Sequence, residues 1–114
     1  MSHLTTVKSQ FKDIPLLREV VARKGFSMEK MDCFTNRFSG QTVENAWVVK
    51  DGSTPKIVVD SAGNAHVDPY YMGWDHQGIF QDYAAAYITR QAEEMGKAYE
   101  VRREGNDLVV EVTY

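Results

Sequence analysis

Apolar residues recur at spacings of three and four in two places along this chain and alternate with polar ones through most of the rest. In the first place Ile14, Leu17, Val20 and Val21 fall on one side of a helix. Asp13 is a suitable N-cap, Pro15 fits a first turn that needs no backbone N–H, and Gly25 follows the last periodic residue. Phe26 is then placed to fold back on Val21, the contact that accompanies a helix ending in a left-handed glycine. The second helix is predicted over residues 77–95, with Phe80, Tyr83, Ala84, Tyr87, Ile88 and Met95 as its apolar stripe and Asp82, Arg90, Glu93 and Glu94 on the other face. Asp75 is its expected cap, Trp74 a staple against Ile79, and Gly96 its stop.

The alternating stretches predict short strands. Residues 4–11 alternate with Val7 and Phe11 on one side, a strand over 31–38 ends near Gly40, and residues 43–50 set Val43, Trp47 and Val49 against Glu44 and Lys50. Asp51-Gly52 turns into a strand over 56–60, and Ser61-Ala62-Gly63-Asn64 turns into one over 65–68. After the long helix, 98–103 and 108–114 flank Glu-Gly-Asn-Asp as a hairpin with Leu108, Val110, Val112 and Tyr114 on one face. The order β-α-β-β-β-β-α-β-β predicts an α+β fold, an antiparallel sheet covered on one face by two helices.

Length and composition narrow the classes. The chain of 114 residues is of single-domain size, residues 1–114, and can bury roughly two thirds of its unfolded surface. Cys33 is the only cysteine, which excludes an intrachain disulfide and a four-cysteine zinc site. The opening residues lack the apolar run of a signal peptide and no stretch reaches membrane-spanning length, so a cytoplasmic protein without a membrane partner is expected. Net charge is −3, but residues 1–57 hold nine Lys/Arg against six Asp/Glu and the rest four against ten. An acidic chain argues against binding duplex nucleic acid, which needs cations to displace counterions from phosphates.

Met1-Ser2-His3-Leu4, Lys8, a helix closing at Gly25, Gly40-Gln41-Thr42 and the final helix-plus-hairpin together resemble a family of uncharacterised proteins. These are the hypothetical chloroplast reading frame thirty-five proteins of red-algal plastids and cyanobacteria, with relatives in other bacteria and phages. Asp68 and Trp74 are similar to that family's aspartate and tryptophan after a strand. The resemblance implies a fold and a lineage, and no activity.

Candidate chemistry concentrates in His66–His76, where two histidines, two aspartates and three aromatics lie around Pro69 and Gly73. His66 and Asp68 leave one face of a strand, and Asp75 and His76 can return to meet them. Two imidazoles and two carboxylates would suit zinc or iron, and an open position would allow hydrolysis or oxygen chemistry. Against this, Asp75 has a capping role and Asp68 a turn-ordering one. Tyr70, Tyr71, Met72 and Trp74 are types favoured at protein interfaces. Cys33 beside Phe34 reads as a small hydrophobe on a buried strand. Phosphate cradles are absent from the sequence. Phe34, Phe38, Trp47, Tyr70, Tyr71 and Trp74 near Arg37 and Lys50 would be the stacking set of a single-stranded nucleic-acid binder. The expectation is a non-catalytic domain without a cofactor that binds an unidentified protein partner, its open sheet edge offering a second copy a place to pair. A metal-binding domain or metal-dependent enzyme using His66, Asp68, Asp75 and His76 is the alternative, and a single-stranded nucleic-acid binder the third.

Overall fold

The computed structural model describes residues 5–7, 11–68, 72–73, 75–105 and 107–113. Its elements are β1 (Thr5–Val7), α1 (Ile14–Arg23), β2 (Ser27–Thr35), β3 (Thr42–Asp51), β4 (Thr54–Val59), β5 (Ala65–Val67), α2 (His76–Glu94), β6 (Ala98–Glu104) and β7 (Asp107–Thr113). The order is the predicted one, in an α+β fold of antiparallel strands. The strands divide differently, however: β1-β5-β4-β3-β2 form one sheet, and β6-β7 form a second sheet of two strands. The final hairpin packs on α2 instead of extending the main sheet.

Local chemistry accounts for the helix ends. Asp13 Oδ1 accepts the Leu16 N–H at 3.0 Å, and Leu16, Leu17, Val20 and Val21 make the buried face of α1. At its C-terminus Phe26 N–H donates to the Val21 carbonyl and Gly25 N–H to that of Ala22, both at 3.0 Å. Gly25 holds φ +82°, which a Cβ would oppose. α2 ends by the same device, with Lys97 N–H on the Ala92 carbonyl and Gly96 N–H on that of Glu93. The two helices are tied at their surfaces by Lys24–Asp82 at 2.8 Å and Arg90–Glu19 at 3.0 Å.

The central strands are buried on both faces. Val49, Ile57, Val59, Ala65 and Val67 face the helices, where Phe11, Leu16, Leu17, Val21, Ile79 and Tyr83 close over them. Each fully buried aliphatic chain there contributes about 1.5–3 kcal/mol. Val48 and Val58, one residue out of phase, point to the opposite face and pack with Phe34, Val43, Ala46 and Met72.

Val43 joining Ala46 breaks strict alternation, and the cause is Asn45. It adopts φ 51°, a left-handed conformation that asparagine tolerates. The β2–β3 register runs Met31↔Ala46 and Cys33↔Glu44 and skips Asp32/Asn45 between them. Both strands invert there, so Val43 leaves the side of Trp47 and Val49. Phe34 turns inward and Cys33 outward, so Cys33 is exposed and not the buried hydrophobe expected. β2 also starts at Ser27 and stops at Thr35, which leaves Phe38 in a turn at 60% exposure.

Candidate functional site

The four ionisable residues proposed for a metal go to four different partners or places. His66 Nε2 meets Asp60 Oδ2 at 2.8 Å, across the turn that Asp60 organises by accepting the Ala62 and Asn64 N–H groups with Oδ1. Those hydrogen bonds hold the Asp60 carboxyl below its ordinary value although burial pushes it up. Asp68 Oδ2 accepts from Asn36 Nδ2 at 2.8 Å, and both side chains are fully buried. Asp75 Oδ2 pairs with Lys56 Nζ at 2.9 Å. His76 is buried in the first turn of α2, its ring edge-on to Phe80. Among the described residues no group of three His, Cys, Asp or Glu side chains is arranged to hold a metal ion.

Asp75 stands at the N-cap without capping through its side chain. Its backbone is already helical, at φ −63° and ψ −19°, which turns the carboxylate away from the free N–H groups and toward Lys56. Of the predicted docking residues, Met72 is 1% exposed and belongs to the core beneath the sheet. It seals that face rather than anchoring a partner. Tyr70, Tyr71 and Trp74, with the staple to Ile79, lie outside the described residues.

Burial pushes the His76 imidazole below its ordinary 6.5, against a backbone hydrogen bond to Gly73 and the charge of Asp75, which raise it. The unfolded chain therefore takes up this proton first as pH falls. Stability contributed by neutral His76 is intact above about 6.5 and declines below it, by at most about 1.4 kcal/mol per pH unit. His76→Gln is expected to flatten that decline in urea melts recorded on either side of this pH. Equal slopes in both proteins would contradict it.

Those of the residues proposed for base stacking that are described do not share a surface. Phe34 is core and Lys50 is paired with Glu29 at 2.6 Å. Trp47 is half-buried on the helix side, with the Arg18 guanidinium 5.2 Å and the Lys30 ammonium 5.4 Å from its ring centre. Phe38 stands apart in the β2–β3 turn beside Arg37.

An aromatic surface with the shape of a binding site lies along α2. Phe11, Lys12, Phe80, Tyr83, Ala84, Tyr87 and Ile88 line an open groove of about 520 Å³. Phe11 forms its floor, edge-on to Tyr83 at 4.8 Å and tilted against Phe80 at 5.2 Å, and Tyr83 stacks on Tyr87 at 6.2 Å. Tyr83 is anchored where its hydroxyl accepts the Asp13 N–H, and burial raises its phenol above the ordinary value. The predicted apolar stripe is thus real, but only Tyr83 in it is buried. α2 turns Ile79 and Tyr83 to the main core, where Phe80 and Ala86 pack partly buried, and also buries Ala85 and Ala92. Periodicity marked the stripe; it carried no sign that the small alanines face neighbours while Tyr87 and Ile88 face water.

No protein-family model, curated protein or solved structure matches the chain. No helix among the described residues is long and apolar enough to cross a membrane.

Proposed function

We propose that this is a non-catalytic protein-binding domain and that the aromatic groove of α2 receives an apolar helical segment of another protein. One observation carries the reading. Of the six large apolar side chains left exposed among the described residues, Tyr87 and Ile88 stand side by side on α2 and line this groove together with Phe80 and Ala84. Apolar surface gathered in this way marks an interaction site, whereas scattered single residues do not. Phe80, Ala84, Tyr87 and Ile88 repeat at helical spacing over roughly 12 Å of α2, the length that about two turns of a partner helix cover. Among the described residues Lys12 is the one charged residue in the groove lining, so an acidic residue beside the partner's apolar side chains fits its rim.

A photo-crosslinker at Ala84, in the groove, and another at Glu44, on the main sheet, test this in the native host. We expect capture of one protein from position 84 only, abolished by Tyr87→Ser with Ile88→Ser. Both side chains are more than 40% exposed, so that double change should alter stability by no more than about 1 kcal/mol. Equal capture at both positions, or capture that survives the double change, would sink the proposal.

A further inference from the structure

The β6–β7 hairpin is a two-stranded sheet, and such a unit is marginal without further strands or cover. α2 packs against it, and a cavity of about 240 Å³ remains between Val101, α1 and α2. Among the described residues the outer edge of β6 has no strand partner, and all of its residues except Arg102 are exposed. Tyr99 and Val101, which share a face with Val112 and Val110 across the hairpin, stay 39% and 45% exposed. The opposite face holds a conflict: Glu100 is paired directly across from Glu111. Arg102 pairs with Glu111 at 2.7 Å and Glu104 at 2.9 Å, and Glu100 feels the same cation only at longer range, with no ion pair of its own among the described residues.

We propose that β6 is the seam of a two-fold dimer, in which β6 of a second copy pairs antiparallel with it to make a four-stranded sheet β7-β6-β6-β7. A strand that pairs with its own copy about a two-fold axis sets one residue opposite itself, because facing residues must point to the same side of the sheet. Val101 is the midpoint of Ala98–Glu104, so the register centred there uses every residue of the strand. It sets Glu100 opposite Arg102 of the second copy twice over, and Val101 against Val101. Glu100 gains a directly facing cation, and a continuous row of valines forms on the face toward α2. Centring on Arg102 instead sets that arginine against itself and Glu100 against Glu104. Centring on Glu100 sets two glutamates face to face. Charge thus selects one register, and it is the one with full overlap. The seam is separate from the α2 groove and does not depend on it.

Sedimentation velocity on the full chain over a concentration series tests the proposal, with each variant's thermal melt as a check of folding. The parent chain is expected to show a monomer–dimer equilibrium. Glu100→Arg should raise the dimer Kd by roughly tenfold or more while leaving the hairpin at least as stable, because arginine then faces Glu111. Arg102→Glu should weaken self-association as well. Mixed together, the two variants should dimerise again, since arginines on one chain then meet glutamates on the other. A parent chain that stays monomeric throughout, a dimer indifferent to Glu100→Arg, or a mixture that fails to reassociate would each overturn the assignment.

Discussion

Asn36→Ala is expected to destabilise the fold by roughly 3 kcal/mol, which for a domain of this size lowers the melting temperature on the order of 10 °C. Asn36 is 0% exposed and works in both directions. Its Nδ2 donates to the Asp68 carboxylate, itself 1% exposed, and its Oδ1 accepts the Phe38 and Ser39 N–H groups that shape the β2–β3 turn. Alanine would remove a donor from a buried charge and an acceptor from two backbone N–H groups. The cost of leaving such groups unmade exceeds the modest net value of the bonds, and the carboxylate is the larger share. Two further variants separate these contributions. Asp68→Asn keeps shape and permits an amide–amide hydrogen bond, so it should cost clearly less than Asn36→Ala. Asn36→Asp replaces the donor with a second carboxyl group against the first and should cost more. Urea melts of the three variants give the ranking. A change under about 0.5 kcal/mol for Asn36→Ala would remove the pair from any structural account.

That pair also shows where the sequence ran out. Asn36 and Asp68 are 32 residues apart and meet because the β2–β3 turn folds back against the end of β5. No spacing rule reaches across two hairpins. What could be read was local: the caps at Asp13, Gly25 and Gly96, the Asp51-Gly52 turn into β4, and the apolar face of α1 all follow from chemistry within five residues of each position. The Asn45 inversion was hidden because alternation assumes an unbroken pleat, and one left-handed residue exchanges the faces of everything before it. The separation of β6-β7 from the main sheet was hidden for a similar reason. Pairing partners across a long helix depend on where that helix lands.

Phe11→Ala is expected to produce the largest loss of stability in the molecule, roughly 4 kcal/mol. Phe11 is 1% exposed, follows the N-terminal strand, and fits between two turns of α2 with its ring against Phe80 and Tyr83. Its backbone N–H donates to the Gly63 carbonyl at 3.1 Å, which fixes the ring's position independently of its packing. Alanine should therefore leave the backbone in place and open a cavity that merges with the groove above it, so little collapse can offset the lost contacts. Phe11→Leu retains most of the volume and should cost no more than about 1.5 kcal/mol. The same ring connects stability to the proposed binding. Because Phe11 forms the floor on which Tyr83 rests, and Tyr83 in turn supports Tyr87, the leucine variant should remain folded while crosslinking from position 84 falls. If the leucine variant kept full capture while Tyr87→Ser with Ile88→Ser lost it, the groove's outer wall alone would make the contact and its floor would serve only the fold.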